Sequence, residues 1–291
     1  MNGHTYMSRK MFRSAAVLLA ALGLLAASPA MGAAQIPAAP ETPPPAGSVP
    51  PPSAPTRPDP TKVVAANVPE PLDLLKAAGD EIKLSDEKLV TRWAHVQAPA
   101  TIRLSPQASS RAVAQLRFLT EDGLAEVYPV LAARRDSAGR NWLQVRVPKR
   151  PNGKIGWVLD EMLGQMYIVR TALVVDRSKL RATLSKDGRT IWSARVGIGK
   201  SGTPTPRGQF WIRERLKGIG SSGVYGPWAF GTSAYSNLSD WPGGGVVGIH
   251  GTNQPGLIPG RPSHGCIRVR NDKIRALARL MPIGTPVKVV D

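Results

Sequence analysis

The chain of 291 residues predicts a mainly β protein: a small barrel, then a second β-rich region with one short helix near the C-terminus. Three observations predict it. Short apolar or alternating runs recur from Trp93 onward, separated by Ser-Pro, Asp-Gly, Ser-Ala-Gly and Pro-Asn-Gly turn signals. Asp187-Gly188 sits between two such runs, a strong two-residue hairpin signal. In the second β-rich region only Ile274–Leu280 has a helical pattern, with Lys and Arg on its polar face and Pro282 and Gly284 to end it.

The N-terminal residues set the compartment. Arg9, Lys10 and Arg13 make a positive start, the first acidic residue is Glu41, and Ala15–Ala27 is apolar apart from Gly23. Small residues follow through Ala30–Ala34, so residues 1–34 read as a signal peptide cleaved between Ala30 and Ala34. An uncleaved N-terminal anchor is the alternative, although the run is short of the roughly 20 residues of a membrane span. The protein is therefore expected to be exported and to work in the periplasm or cell wall. Any membrane anchoring would come through this segment alone.

Residues 35–69 read as a disordered linker: Ile36–Pro60 holds eleven prolines in 25 positions, too many to bury a core. Residues 70–92 read as a lead-in segment carrying Leu72, Leu74, Leu75, Ile82 and Leu84. In residues 93–164, strands are expected at Ala100–Leu104, Ala112–Leu116, Ala125–Leu131, Trp142–Val147 and Ile155–Leu159. Five short strands in this span make a small barrel. The stretches Trp142–Val147 and Gly153–Val158 resemble a bacterial Src-homology-3-type domain, in which Trp142 and Trp157 pack the barrel or line a wall- or peptide-binding groove.

From residue 166 to 291 the texture is again β. Strands are expected at Tyr167–Val175, Lys179–Leu184, Thr190–Val196, Gln209–Arg213 and Pro286–Val290, with a loop over Gly197–Gly208. Ser221–Gly245, rich in Gly and Ser and studded with Tyr225, Trp228, Phe230, Tyr235 and Trp241, reads as a long functional loop. Its Gly243-Gly244-Gly245 run is no phosphate cradle, since no Lys-Ser/Thr and helix follow.

Composition narrows the chemistry. A formal charge of +18 favours an anionic neighbourhood. Its basic residues are scattered rather than clustered and the leader directs export, so a nucleic-acid binder is disfavoured. A single cysteine excludes a disulfide framework and any zinc site built on several thiolates, and no metal or cofactor is expected. That cysteine lies in the window Val246–His250, a loop over residues 251–262, then Ser263-His264-Gly265-Cys266-Ile267-Arg268. A strand ending in His250 can set an imidazole beside the thiol of Cys266. Such a neighbour can draw the thiol toward a reactive thiolate and later protonate a leaving amine. Gly265 permits a tight turn before the cysteine, and amides around such a turn suit an oxyanion.

His250, Ser263-His264-Gly265-Cys266 and Arg268 resemble the signature of the L,D-transpeptidase family of peptidoglycan enzymes. The similarity extends from about Met166 to the C-terminus and takes in the turn Gly199–Gly208. It implies a β-sandwich catalytic domain over residues 166–291. It also implies attack on the bond between the third, diamino residue and the fourth D-alanine of a stem tetrapeptide, through a thioester, with another stem as acceptor. Cys266 would be the nucleophile and His250 the proton acceptor and donor. Ser263, His264 and Gly265 would shape the turn, orient the histidine and help form the oxyanion site; Arg268 would hold a substrate carboxylate or brace the cysteine loop. Ser221–Gly245 would be a lid over the donor.

The barrel would localise the enzyme while the later domain holds every catalytic group. The expected partner is peptidoglycan, as donor and acceptor stems. Hydrolysis of the same tetrapeptides (an L,D-carboxypeptidase) and a non-catalytic wall-binding role are the alternatives. A sortase-like enzyme would want a longer His-to-Cys separation and no Ser-His-Gly-Cys run.

Overall fold

The computed structural model describes residues 71–218, 223–240 and 242–291. The expected leader and linker and residue 70 of the lead-in therefore lie outside the described residues, which all belong to one compact unit. Two sheets organise them.

The first sheet comprises β1 (Glu81–Lys83), β2 (Thr91–Ala94), β3 (Thr101–Arg103), β4 (Ala112–Gln115), β5 (Tyr128–Arg135), β6 (Asn141–Arg146), β7 (Ile155–Leu159) and β8 (Tyr167–Val169). All its pairings are antiparallel, in the order β4-β3-β7-β6-β5-β2-β8, with β1 added against β5. Ile102, Tyr128, Val130, Leu143, Val145 and Val158 fill its core. Trp142 and Trp157 are buried with Ala132 and Leu159, so the packing role of the two tryptophans holds over a groove. The strand expected at Ala125–Leu131 begins at Tyr128 and runs on to Arg135. One strand comes from the lead-in and one, β8, from beyond Met166.

The second sheet comprises β9 (Thr171–Asp176), β10 (Arg181–Lys186), β11 (Arg189–Gly199), β12 (Gly208–Trp211), β13 (Leu216–Lys217), β14 (Trp228–Tyr235), β15 (Val246–His250), β16 (Gly260–Ser263), β17 (Ile267–Val269) and β18 (Pro286–Val290). Helix α1 (Asn271–Leu280) buries Ile274, Leu277 and Ala278. The Asp187-Gly188 hairpin forms as its residue types require, both with positive φ, 48° and 76°. Strand β11 is long enough to serve two layers: its first part pairs with β10, and its end pairs with β17 and β16. Leu173, Leu184 and Val287 from one layer meet Phe230, Ile249, Ile267 and Val269 from the other in one apolar core, a β-sandwich.

The long loop expected over Ser221–Gly245 is interrupted by β14, whose residues from Ala229 to Tyr235 are all buried. A strand buried on both faces does not alternate, and Gly231, Thr232 and Ser233 disguise it as a loop. Its polar side chains are satisfied inside: Thr232 Oγ1 donates to Val247 O, and Ser233 Oγ accepts from Trp211 N–H.

The sheets share a seam. Trp93 and Val127 pack with Val169 and Trp211, and Trp211 Nε1–H donates to Val127 O at 2.8 Å. Beside it, the almost fully buried Arg213 donates through Nε to Glu126 at 2.7 Å and through Nη2 to Glu121 at 2.8 Å. Burial works against a charge on Glu121, but hydrogen bonds from Arg117 and Tyr235 and the nearby Arg213 hold its carboxyl down at about 2.

Candidate active site

Strands β15 and β17 run side by side and parallel, with Ile249 opposite Ile267 and His250 opposite Arg268. Side chains alternate along a strand, so Ile249 and Ile267 enter the core while His250 and Arg268 share the other face. One step back, Gly248 N–H donates to Cys266 Sγ at 3.4 Å. The register thus sets the imidazole beside the thiol although 15 residues separate them in the chain (251–265). A side chain at position 248 would touch both: its Cβ would lie 3.7 Å from His250 Cδ2 and 3.9 Å from Cys266 Sγ.

His250 is 3 % exposed, and its Nδ1 lies 2.6 Å from Gly251 O. A carbonyl only accepts, so Nδ1 carries the hydrogen and Nε2 is the acceptor. Burial pushes the imidazole pKa down to about 4, with the Gly251 carbonyl opposing and Arg268 adding to the shift. Burial also pushes the Cys266 thiol up, against smaller opposing effects of the Gly248 N–H and Arg268. Both shifts favour a neutral thiol beside a neutral imidazole, in contrast to the thiolate drawn out by an imidazole that the sequence suggests.

The turn before the cysteine is built from hydrogen bonds. Ser263 Oγ donates to Cys266 O at 2.6 Å and accepts from Gly265 N–H at 3.2 Å. Gly265 has φ of 126°, the left-handed side that glycine tolerates, and a Cβ there would press on Ser236 at 3.1 Å. A second brace comes from the Thr-Pro-Thr-Pro loop: buried Thr205 Oγ1 donates to Gly265 O at 2.7 Å and accepts from Gly199 N–H at 3.0 Å. Sequence reasoning took that segment for a loop and overlooked Thr205; a polar residue between two prolines was the available signal.

The resulting pocket is lined by Tyr225, Ser236, Gly245, Val246, Val247, His250, Ser263, His264, Cys266 and Arg268, with Val224 at its rim. Five of the six site residues singled out in the sequence line this pocket, and the sixth, Gly265, lies in the turn just before Cys266. Tyr225 meets His250 edge-on, ring centres 5.0 Å apart. Arg268 donates through Nη1 to Gln254 Oε1 at 3.0 Å and so braces the loop, while its buried Nε has no partner among the described residues. His264 is exposed, and partial burial together with Lys200 and Arg268 lowers its pKa.

Comparison with known proteins matches this half of the chain. The profile of the YkuD family, described as an L,D-transpeptidase catalytic domain, matches residues 170–289. The putative L,D-transpeptidase YkuD of Bacillus subtilis is 32% identical over 123 residues, 42% of this chain and 68% of that protein. The chain belongs to the L,D-transpeptidase family. The probable L,D-transpeptidase ErfK/SrfK of Salmonella typhimurium is also 32% identical to this family member, over 142 residues, 42% of the chain and 45% of the relative. Among solved structures, an Enterococcus faecium L,D-transpeptidase is 27% identical with a TM-score of 0.34, covering 41% of the chain and 49% of its own length. This enzyme thus spans about half of that structure. A Mycobacterium smegmatis L,D-transpeptidase gives 18% identity and a TM-score of 0.35, covering 52% and 92%.

Proposed function

We propose that the chain is an exported L,D-transpeptidase that acts on peptidoglycan stem tetrapeptides through a thioester on Cys266. The observation that carries this reading is the single constellation of Cys266, Gly248 and His250 on one face of two parallel strands. In the proposed first half-reaction, Sγ bonds to the carbonyl carbon of the third residue as its proton passes to His250 Nε2. The Ser263–Cys266 turn supplies amide donors to the oxyanion. Collapse breaks the C–N bond, and His250 returns the proton to the departing D-alanine amine. In the second half, the amine of an acceptor stem attacks the thioester and loses its proton to His250, which then restores the thiol. Burial disfavours the charged form of both groups, which supports His250 as general base from the outset.

Tyr225 and the segment around it serve as the lid over the donor, and the Arg268 guanidinium in the pocket wall faces a substrate carboxylate. Residues 1–34 direct export, and the Src-homology-3-like reading of residues 93–164 makes the first sheet a wall-binding module. Incubation of the full chain with a defined stem tetrapeptide, with products read by mass spectrometry, tests the proposal. A cross-linked dimer with release of one D-alanine is expected. Tripeptide alone would mark an L,D-carboxypeptidase, and unchanged tetrapeptide would refute enzymatic action on this substrate.

A further inference from the structure

We propose that Arg150, carried by the first sheet, is a positioning residue for the cysteine pocket: it holds the two arms of the pocket wall, 236–238 and 244–245, in the shape that receives the donor peptide. This rests on the transpeptidase reading and assigns part of that site to a region outside the second sheet.

Arg150 lies in the connection between β6 and β7. Its Nη2 reaches three main-chain carbonyls of the second sheet's loop: Ser236 at 3.1 Å, Leu238 at 3.0 Å and Gly244 at 2.9 Å. Three carbonyl oxygens converging on one point repel one another, and a cation that donates to all of them removes the conflict. The same guanidinium lies over the Tyr235 ring, 4.7 Å from its centre. Asn152 completes the grip as a strand would, accepting from Tyr235 N–H at 3.0 Å and donating to Tyr235 O at 2.8 Å.

The loop so held is part of the site. Ser236 and Gly245 line the pocket, and Ser236 N–H donates to Gly245 O at 2.9 Å, closing the base of the two arms. Ser236 also touches the turn at Gly265, next to Cys266. Gly245 has φ of 76°, and a Cβ there would fall 1.9 Å from Leu238 O and 2.6 Å from Arg150 Nη2. The glycine is needed so that the arms can close around the guanidinium. Arg150 itself is exposed and outside every apolar core, so its loss should loosen the wall without unfolding the chain.

The test compares the full chain with R150A and R150K. Hydrogen exchange should quicken in R150A at 236–238 and 244–245 and stay unchanged in β9 and β10. KM for tetrapeptide acylation should rise about tenfold, while alkylation of Cys266 by iodoacetamide, which is small enough to need no wall, stays within about twofold. R150K, which keeps the charge but not the planar fork, should recover part of the loss. Wild-type exchange and wild-type KM in R150A would overturn the proposal. So would an equal loss in both reactions, since Arg150 would then act on the cysteine itself. If the wild type forms no adduct with tetrapeptide while R150A still exchanges faster, the transpeptidase reading fails and Arg150 remains the holder of the wall.

Discussion

Gly248 N–H lies 3.4 Å from Cys266 Sγ, and the Cβ that this glycine lacks would touch both the thiol and the imidazole of His250, at 3.9 and 3.7 Å. In the proposed mechanism a proton passes between these two side chains. An alanine at position 248 would make only ordinary contacts, the nearest being Phe230 O at 3.6 Å. Gly248→Ala should therefore leave the melting temperature unchanged or slightly raised, since strand glycine costs about 0.5–1 kcal/mol relative to alanine. It should slow acylation on the order of 10²-fold, as displacements near 1 Å do in such sites. Acylation at the wild-type rate would show that the proton takes another path.

The pH dependence follows from two opposite shifts. With the thiol pushed up by burial, the thiolate fraction at neutral pH is below that of a free cysteine. Alkylation of Cys266 by iodoacetamide should be slow at pH 7 and still climbing past about pH 9. A plateau through neutral pH would mark a thiolate–imidazolium pair instead.

For His250 the sign is that of a depressed base. The unfolded imidazole takes up its proton near pH 6.5, while the folded one stays neutral down to about 4. Stability is fully present above pH 6.5 and falls as pH drops toward 4, by on the order of 3 kcal/mol for this 3 % exposed group. His250→Gln should flatten that part of the profile in urea titrations, and an unchanged slope would contradict the burial of a neutral imidazole.

The seam between the sheets makes its own prediction. Glu126 is fully buried against Arg213 and also accepts from Arg117 at 3.0 Å. Glu126→Ala leaves a buried guanidinium short of its carboxylate and should cost about 3–5 kcal/mol. Urea unfolding of the full chain should report this as one shifted transition. A loss below about 1 kcal/mol would mean that water replaces the carboxylate.

Local chemistry was the legible part of this chain. Asp187-Gly188 had to be a hairpin and the Gly before Cys266 a turn, because few other residues tolerate those backbones, while the apolar run Pro286–Val290 read as a strand. That His250 and Cys266 would come close was readable from residue types and spacing, since a strand, a loop and a turn return the chain to the same sheet face. Strand β14 was not, because its small and polar residues are satisfied by Val247 and Trp211, partners that no local pattern reveals. Nor was Arg150, whose contacts at Ser236, Leu238 and Gly244 are 86 to 94 residues away along the chain. The burial that lowers the His250 pKa and raises that of Cys266 is something spacing does not report.

Intact-mass analysis of the full chain mixed with a stem tetrapeptide, quenched in acid to preserve a thioester, tests the nucleophile itself. Wild type should gain the mass of the tetrapeptide less D-alanine, on the peptide containing Cys266, and Cys266→Ala should gain nothing while keeping its fold. An adduct of the same mass on Cys266→Ala, or turnover by that variant at the wild-type rate, would contradict catalysis through this cysteine.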